Sequence, residues 1–597
     1  MVTYTPQFPT INDTLNLIFD ASKGNAALMG ANKVYAHTGC INKYSVSQND
    51  WVHKPINWDA GAKDTIELEP LGNNLHRFKI HIKKYYSIGF NEKVREIGFV
   101  FRNADGSKAG KNADGSNIYI HIYEKGLTAR FTAPVEFPKV INLGENFTVE
   151  VTSQKDAQIN LFQDKSLISQ TNGKTATASI TGTKYGKFWV KFIAQSDTTI
   201  TDSLYYIVQK STNGIEPPAD MKEGINYLND STVTLCLLAP QKNFVYLIGD
   251  FNKWEVHPDY KMNRANDGER YWLTVSGIIP KKEYRFQYYV DLDVKVADPY
   301  ADKVLDPSND AGINSIVYPK LIKYPKDTTT EYVSIFQTAQ VPFQWKIKNF
   351  KRPDNRDLVI YELLVRDFVA RHSYQTIIDS LQYLIDLGVN AIELMPINEF
   401  NGNTTWGYDP AFFTAPDKYY GTREKLKEFI DTCHSRGIAI IQDIVFNHAF
   451  GNHPWVRMYW DRGSSKVDGN SPWFHRVAAH PYNVGYDFKH GNKYTQNFID
   501  RTLEFWAKEY NVDGFRLDLS KGFTDNFTGD DVGKWGQYDA GRVYNIKRLT
   551  SKFWSNNPGK WIILEHFADN PEETELAAHG CMLWGKGTHQ YSQAAKG

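Results

Sequence analysis

The length, charge and cysteine content of the chain set broad limits on what it can be. Its 597 residues allow about four domains of roughly 150 residues each. The 68 basic and 68 acidic residues give a formal net charge of zero, so the overall charge does not favour a nucleic acid or an anionic membrane as partner. The four cysteines are scattered singly, which argues against a disulfide framework and against a thiolate metal site.

Neither end of the chain nor its interior carries a membrane signal. No run of about 18 apolar residues occurs, and Met1 to Asp20 has neither a basic leader nor a hydrophobic core for export. We therefore expect no signal peptide and no membrane segment in this chain, and the composition leaves the cellular compartment open.

The first half of the chain is rich in short β runs separated by turns, such as residues 118–123. This spacing is typical of β-sandwiches. The pattern predicts three modules in a row, followed by a hydrophilic linker at residues 326–332: a β-sandwich over 1–125, an immunoglobulin-like sandwich over 126–212 and a further β module over 213–325.

From about residue 345 the pattern changes to strands that alternate with helices. Residues 374–387 place apolar side chains on one helix face and end at Gly388, which predicts a helix with a glycine cap. The helix expected at 422–436 buries Cys433 in the same way. Alternating β and α units predict a parallel sheet, and we assign residues 345–597 to a (β/α)8 barrel. The fold class is therefore multidomain, with three β-sandwich modules before the barrel.

Polar residues follow the apolar strands of the predicted barrel at the point where each strand ends. Catalytic groups of this fold lie at the carboxyl ends of the strands, and a carboxylate that ends an apolar strand would be buried at high cost unless it faced a cleft. The candidates are Asp443, Asn447 and His448 on the third strand, Arg516 and Asp518 on the fourth, and Glu565 on the fifth.

Two of these carboxyl groups could cleave a glycosidic bond with retention of configuration. That reaction needs two carboxyl groups about 5 Å apart, and the fourth and fifth strands are neighbours in a barrel. Arg516 lies two residues before Asp518, on the same face of the strand, where it would keep that carboxylate ionised. This favours Asp518 as the nucleophile and Glu565 as the acid/base. Taken singly, Arg516 with Asp518 could also be a structural ion pair.

Five segments resemble the α-amylase family, glycoside hydrolase family 13, in order and spacing. They are Gly388-Val-Asn-Ala-Ile-Glu-Leu-Met-Pro396, Trp406-Gly-Tyr-Asp-Pro410, Asp443-Ile-Val-Phe-Asn-His448, Gly514-Phe-Arg-Leu-Asp518 and Ile563-Leu-Glu565-His. The resemblance covers residues 357–597. It implies that Asp518 is the nucleophile, Glu565 the acid/base and Arg516 its orienting partner. It also implies that Asp443, His448 and Tyr408 line the subsite of the attacked glucose.

The chain departs from the family pattern in two places. The family's third carboxylate, near strand seven, has no counterpart, because 597 − 565 = 32 residues follow Glu565. We therefore expect an incomplete barrel, truncated after strand five, and a 597-residue chain that is poorly stable and inactive by itself. The second departure is Lys521-Gly522, where many members have Lys-His. Lys521 remains a candidate for substrate binding.

The resemblance also bears on cofactors. Calcium is common in the family near the long insertion after strand three, and Asn447 and Asp487 are the candidate oxygen ligands. No organic cofactor is expected.

Two of the β modules resemble known carbohydrate-binding modules. The third contains Val245-Tyr-Leu-Ile-Gly-Asp-Phe-Asn-Lys-Trp254 and is similar to the family 48 modules that precede isoamylases, pullulanases and branching enzymes. Trp254 and Trp272 are expected in its core rather than on a ligand platform. The first module, with Tyr35-Ala-His-Thr-Gly39, Trp51 and Trp58, looks like starch-binding modules of bacterial amylases.

These resemblances imply a retaining α-glucan hydrolase that cleaves α-1,4 bonds in starch, glycogen or malto-oligosaccharides. The alternatives are a debranching enzyme of the pullulanase or isoamylase type, a 1,4-α-glucan branching enzyme and, as a non-enzyme, a starch-binding protein with a degenerate barrel. The expected partner is an α-glucan. By family resemblance the protein is expected outside a bacterial cell or at its envelope, and its oligomeric state stays open.

Overall fold

A computed structural model describes the chain except for residues 44, 46, 48, 59–62, 64–65, 90–91, 114, 125, 136–137, 463, 586 and 597 and the side chains of 588–590. The chain divides into two compact units. One contains Met1–Lys210 with Asp461–Lys466, and the other Ser211–Trp460 with Val467–Gly597. Within the described residues, no helix combines the length and the apolar character needed to cross a membrane.

The first unit begins with two small antiparallel sheets around one core. One sheet has the order β1-β2-β5-β4, and in the other β6 pairs with β3, β7 and β8. Alternate residues such as Leu15 and Leu17 on β2 and Ile97 and Phe99 on β6 share this core, as the two-residue period of a half-buried strand requires. The elements are β1 (Val2–Thr5), β2 (Thr14–Asp20), β3 (Tyr35–Asn42), β4 (Glu69–Gly72), β5 (Leu75–His81), α1 (Ile82–Tyr85), β6 (Val94–Arg102), β7 (Ala109–Gly110) and β8 (Ile118–His121).

A six-stranded sheet completes this unit. Its strands are β9 (Ala129–Ala133), β10 (Lys139–Asn142), β11 (Asn146–Gln163), β12 (Ser166–Thr181), β13 (Gly186–Gln195) and β14 (Thr199–Gln209). The order is β10-β14-β13-β11-β12, with β9 also on β11. The long strand β11 changes register between Thr152 and Ala157. Such irregularities bend a strand. Residues of this sheet form two hydrophobic clusters. The sequence predicted an immunoglobulin-like sandwich for this region.

The second unit begins with two antiparallel sheets, of order β15-β16-β19-β18 and β17-β20-β23-β22, with β21 on β20. The last strand, β23, pairs with β20, so this sheet includes residues beyond the predicted end of the module at residue 325. The polar residues before β23 resemble a linker, so the sequence did not reveal that a strand begins after them. The strands are β15 (Gly224–Asn229), β16 (Thr232–Leu238), β17 (Val245–Gly249), β18 (Asn263–Arg264), β19 (Arg270–Ser276), β20 (Glu283–Val290), β21 (Val294–Val296), β22 (Val304–Leu305) and β23 (Val333–Gln337).

A parallel sheet of order β24-β25-β28-β33-β34-β35 forms the centre of the remaining residues. Its strands are β24 (Ile360–Leu363), β25 (Ala391–Leu394), β28 (Ala439–Ile444), β33 (Gly514–Leu517), β34 (Trp561–Leu564) and β35 (Met582–Leu583). Short strands outside this sheet are β26 (Asn398–Phe400), β27 (Pro410–Pro416), β29 (His448–Ala449), β30 (Trp460–Asp461), β31 (Lys466–Val467) and β32 (Tyr486–Asp487).

Helices cover the parallel sheet. They are α2 (Val365–Phe368), α3 (Tyr374–Asp386), α4 (Arg423–Ser435), α5 (Pro454–Met458), α6 (Lys493–Glu509), α7 (Val532–Gly536), α8 (Ala540–Asn556), α9 (Asn570–His579) and α10 (Thr588–Lys596). The predicted helix at 374–387 is present. It starts at a capping box formed by Ser373 and Thr376 and ends beside Gly388, whose φ is 78°. Cys433 is fully buried on α4, as predicted.

The prediction that the barrel stops after strand five is wrong. Met582 and Leu583 form a sixth parallel strand, in register with Ile563 and Leu564 of β34. The strand has only two residues, too few for a periodic signal in the sequence. The predicted domain boundaries and the assignment of residues 345–597 to an incomplete (β/α)8 barrel stay predictions.

The β module of the second unit is joined to the parallel-sheet domain by a shared core and by charged contacts. One hydrophobic cluster runs from Val233 of the module to Leu576 of α9. Across the same boundary, Asp302 pairs with Arg423 at 2.7 Å, Glu331 with Arg457 at 2.6 Å and Asp310 with Lys418 at 3.2 Å. Lys418 also pairs with Glu399, and both side chains are buried. Apolar contacts and ion pairs therefore both hold the β module against the parallel-sheet domain.

Candidate active site

The predicted site residues meet at the carboxyl ends of β28, β33 and β34. Asp443 on β28 lies opposite Arg516 on β33, and Asp518 and Glu565 follow directly after β33 and β34. Parallel strands end at the same edge of their sheet. The structure therefore brings together the four charged residues that the sequence placed at neighbouring strand ends.

One guanidinium group joins three carboxylates. Nη1 of Arg516 lies 2.9 Å from each oxygen of Asp443 and 2.7 Å from Oδ1 of Asp518. Nη2 lies 2.9 Å from Oε2 of Glu565, which also accepts a hydrogen bond from the backbone N–H of Leu519 at 3.0 Å. The side chains of Asp518 and Glu565 thus share one compartment, as a nucleophile and an acid/base must.

Burial and crowding of like charges raise the pKa of Asp518 and of Asp443. Burial, and then the neighbouring Glu565, raise the pKa of Asp518 to about 6, against the opposing effect of Arg516. Burial also raises the pKa of Asp443 well above its ordinary value, again against Arg516. A carboxylate with a pKa of about 6 is ionised at neutral pH, which a nucleophile requires.

Tyr408 and His448 extend this cluster. The Tyr408 hydroxyl donates to Oδ2 of Asp443 at 2.8 Å. Nδ1 of His448 lies 3.1 Å from the amide nitrogen of Asn447, which donates, so Nε2 carries the proton and donates to the carbonyl of Tyr408 at 2.9 Å. Burial lowers the pKa of His448, which keeps the ring neutral. Gly407 makes this approach feasible, because its φ is 91° and a Cβ there would lie 2.6 Å from the Pro396 carbonyl oxygen.

Lys521 lies beside the cluster in the loop after β33. Its ammonium group donates to the carbonyl of Phe567 at 3.1 Å and lies 4.1 Å from the ring centroid of Trp535. Gly522 explains the departure from the family pattern, since a Cβ there would lie 1.7 Å from Oδ1 of Asn447 and 2.7 Å from Nε2 of His480. No histidine side chain fits at this position.

The residues around Asn447 do not fit calcium. Oδ1 of Asn447 is buried without a hydrogen-bond partner. Oδ2 of Asp487, however, is occupied by His475 at 2.9 Å and by the N–H of Ala479 at 2.8 Å, and its Oδ1 lies 3.5 Å from His480. Calcium takes about six to eight oxygen ligands, and imidazoles stand here where oxygens would be needed. In the part of the chain that is described, no group of three or more His, Cys, Asp or Glu side chains is placed to hold a metal ion.

The histidine beside Asp487 supplies a positive charge at this point. Burial would lower the pKa of His475, but hydrogen bonds to Asp487 and to a second carboxylate outweigh it and raise the pKa to about 9. The protonated ring therefore pairs with Asp487 at neutral pH.

The sequence did not reveal a buried network behind Glu565. Arg542 on α8 donates to both oxygens of Glu572 on α9, and His566 lies 2.7 Å from the same carboxylate. Ser520 bonds to His566 at 3.0 Å and donates to the backbone carbonyl of Glu565 at 2.9 Å. The network therefore fixes the backbone that presents Glu565. The only sequence signal was the His that follows Glu565.

Two further residues near Arg516 were missed. The indole of Trp584, just after β35, lies 4.3 Å from the Arg516 guanidinium carbon, within the range of a cation–π contact. Glu393 on β25 is 2% exposed and its Oε1 has no hydrogen-bond partner. Burial raises the pKa of Glu393 to about 7. Glu393 lies on β25 and Trp584 follows β35. Which residues neighbour these positions is known only from the fold.

The raised pKa of Asp518 predicts a stabilising substitution. At pH 8 the folded protein holds Asp518 ionised although its pKa is raised from 3.8 to about 6, which costs up to about 3 kcal/mol at about 1.4 kcal/mol per pKa unit. The cost disappears only below about pH 3, where the group is protonated in both states, and about 1 kcal/mol remains at pH 4.5. Asp518→Asn should therefore raise the free energy of unfolding by about 2 kcal/mol more at pH 8 than at pH 4.5, as measured by urea unfolding.

The control for this prediction is Asp530→Asn, at an exposed position in the following loop, which should change stability equally at both pH values. Equal effects of Asp518→Asn at pH 4.5 and pH 8 would contradict the assignment of a crowded, buried carboxylate.

Comparison with known proteins identifies two domains in the chain. Residues 348–490 match the family description "Alpha amylase, catalytic domain", and residues 222–301 match "Carbohydrate-binding module 48 (Isoamylase N-terminal domain)". The chain thus contains a glycoside hydrolase catalytic domain behind a carbohydrate-binding module. These matches confirm the resemblance of the signature segments to the α-amylase family, glycoside hydrolase family 13.

The relatives include several α-glucan enzymes. The malto-oligosyltrehalose trehalohydrolase of Saccharolobus solfataricus is 29% identical over 302 residues, which cover 50% of this chain and 46% of that protein. The 1,4-alpha-glucan branching enzyme GlgB 2 of Clostridium perfringens is 25% identical over 325 residues, 52% of this chain and 45% of that protein. The pullulanase SAP of Group B Streptococcus has 17% identity and a TM-score of 0.42, covering 73% of this chain and 58% of that one. The chain spans less than half the length of these two curated relatives.

Proposed function

We propose that the protein is a retaining α-glucan hydrolase that cleaves α-1,4-glucosidic bonds in starch, glycogen or malto-oligosaccharides. The observation that supports this most strongly is the contact of Asp518 and Glu565 with one guanidinium at the ends of two neighbouring strands. An ion pair that served only the fold would not need a second carboxyl group at the same arginine. The substrate is a neutral glucan, in keeping with the zero net charge of the chain.

In the first step, Asp518 attacks the anomeric carbon while Glu565 protonates the leaving oxygen. Oε2 of Glu565 is held by Arg516 and by the N–H of Leu519, so the proton to be transferred lies on Oε1. In the second step, Glu565 takes a proton from water, the water oxygen bonds to the anomeric carbon, and Asp518 leaves as a carboxylate. Arg516 stays bound to both groups throughout and stabilises the charge on Asp518.

Tyr408, His448 and Asp443 form the wall of the subsite for the attacked glucose. Asp443 bonds to Arg516 and to the Tyr408 hydroxyl. These bonds hold the tyrosine side chain in a fixed position relative to Asp443. A sugar ring can pack on this aromatic face. Lys521, bonded to Phe567, borders the leaving-group side.

Debranching or branching is the second candidate function. The match of residues 222–301 to an isoamylase-type module favours it, and the names of the relatives include a branching enzyme. Bond choice depends on the loops around the cleft, whereas the carboxylate chemistry is the same for all of these reactions.

The experiment that tests the proposal is incubation of the complete enzyme with amylose, pullulan and glycogen. Hydrolysis of α-1,4 bonds should release reducing ends from amylose and glycogen, and the first product observed by NMR should be the α-anomer. Cleavage of pullulan only at α-1,6 bonds, or new branch points without reducing ends, would identify the second candidate. A β-anomer as first product would rule out retention.

Three β-sandwich modules before the barrel are part of this proposal, and so is starch binding by the first. In that module the ring of His37 stacks with Trp51 at 5.5 Å and meets Trp58 edge-on at 5.2 Å, which supports a sugar-binding cluster. In the third module, the indole N–H groups of Trp254 and Trp272 are bonded to Asp250 and to the carbonyl of Ile215. They therefore support the module's own fold.

Location outside the cell or at its envelope is proposed from family resemblance alone, and fractionation of the source bacterium would test it. Calcium is not part of the proposal, because imidazole groups occupy the surroundings of Asn447 and Asp487.

A further inference from the structure

The six-stranded sheet β9–β14 carries a groove that the family matches do not cover. Its volume is about 470 Å³, and it is lined by Arg130, Phe131, Pro138, Trp189, Asp202, Ser203, Leu204 and Tyr205. This volume falls within the range of about 300–1,000 Å³ that is usual for small-ligand sites. We call it the Trp189 groove.

Two aromatic rings form one wall of the Trp189 groove. Trp189 on β13 and Tyr205 on β14 are directly opposite in the strand register, with ring centroids 5.4 Å apart and planes at 61°. Trp189 is 45% exposed, although an indole contributes most to stability when it is buried. The ammonium group of Lys187 lies 4.1 Å from the centroid of the Tyr205 ring. The same ammonium group lies 5.2 Å from the centroid of the Trp189 ring, so one cation borders both rings.

The rim of the groove is polar and carries charges of both signs. Asp202 and Ser203 are exposed and line the groove, and Oδ1 of Asp202 accepts the N–H of Ser203 at 2.7 Å. Arg130 also lines the groove and donates to the Tyr4 hydroxyl at 3.1 Å. Mixed charges do not attract a polyanion, and hydroxyl and carboxylate groups at the edge of aromatic faces suit a neutral ligand with both C–H and O–H groups.

We propose that the Trp189 groove is a binding site for a chain of α-linked glucose, separate from the cleft at Asp518 and Glu565. Trp189 packs against the C–H face of a glucose ring, and Asp202 and Ser203 bond to its hydroxyls. The choice of an α-glucan over another neutral glycan rests on the proposed function of the catalytic domain in the same polypeptide. The occupancy of the groove itself does not depend on catalysis.

Hydroxyl-radical footprinting of the full-length chain tests the site directly. Maltoheptaose should reduce the oxidation rate of Trp189 severalfold while leaving Tyr185 unchanged. Tyr185 is a matched internal control, because it precedes β13, is 46% exposed and does not line the groove. Cellohexaose should protect neither residue. Equal protection by both glycans would overturn the α-glucan assignment, and no protection of Trp189 would overturn the site.

Calorimetric titration with maltoheptaose provides the second measurement. Trp189→Ala should remove one binding site per chain, or weaken that site at least about tenfold, as truncation of a central aromatic contact does. Tyr185→Ala should leave the number of sites and their affinities unchanged. A far-UV circular dichroism spectrum and a melting curve equal to those of the wild type establish that Trp189→Ala is folded. An unchanged titration would then overturn the proposal.

These outcomes are separable from the proposed function. Loss of hydrolysis in Asp518→Asn with unchanged protection of Trp189 would support both proposals. Protection of Trp189 in a protein that cleaves no α-glucan would refute the hydrolase proposal and leave the binding site intact.

Discussion

Replacing Asp518 by Asn is expected to lower kcat/KM for malto-oligosaccharides on the order of 10⁴- to 10⁶-fold, the loss typical when a covalent nucleophile is removed. Asparagine keeps the volume and can still contact Arg516, but it cannot form the glycosyl ester on which retention depends. The measurement is steady-state hydrolysis, in a form of the protein that cleaves the glucan. Asp530→Asn, in an exposed loop, should leave kcat/KM unchanged.

Glu565→Gln separates the two carboxyl roles in the same assay. Loss of a general acid costs about 10²- to 10⁴-fold on substrates whose leaving group needs a proton. With α-maltosyl fluoride, which needs none, formation of the intermediate should be nearly unaffected in Glu565→Gln but abolished in Asp518→Asn. Equal losses of Glu565→Gln on starch and on the fluoride would refute the acid/base role, and residual activity above about a tenth in Asp518→Asn would refute the nucleophile.

Glu572→Gln is expected to lower the free energy of unfolding by about 3–5 kcal/mol, the cost of breaking a buried ion pair from one side. Arg542 and Glu572 are 1% and 0% exposed, and His566 bonds to the same carboxylate. Burial would raise the pKa of Glu572, but hydrogen bonds from His566 and Arg542 outweigh it and lower the pKa to about 2. This contribution to stability is therefore complete above pH 5 and is lost only as the pH falls towards 2.

Urea unfolding at pH 7 measures this effect, and α9 offers a matched control. Glu575 on the same helix pairs with Lys547 at 2.6 Å but is 38% exposed, so Glu575→Gln should cost less than about 1 kcal/mol. Similar losses for the two Glu→Gln variants would contradict the buried-network interpretation. Because Ser520 links this network to the backbone of Glu565, a folded Glu572→Gln protein should also show a lower kcat.

The sequence revealed the centre of the site but not its support. Asp443, Arg516, Asp518 and Glu565 could be placed because each stands at the end of a short apolar strand, a position that the barrel fold makes functional. The contact of Trp584 with Arg516 could not be predicted, because it depends on the two-residue strand β35. Long-range pairing of this kind leaves no periodic trace in the chain.

The same limit applies to the end of the third module and to the calcium prediction. Strand β23 follows a polar segment that imitates a linker, and only its pairing with β20 places it in the module. Asp487 looks like an oxygen ligand in the sequence, whereas three-dimensional packing brings His475 and His480 to its oxygens. The sequence alone also could not explain Gly522. The explanation is that Asn447, 75 residues earlier in the chain, lies against the backbone of Gly522.

The continuous contact between the family 48 module and the barrel domain has a consequence for how such proteins can be recombined. A graft that exchanged only the module would leave Lys418 and Glu399 without Asp310, and Arg423 without Asp302. Stranded charges of this kind destabilise the recipient more than the foreign apolar surface would. Chimeras between relatives should therefore fail when the crossover falls between residues 338 and 357.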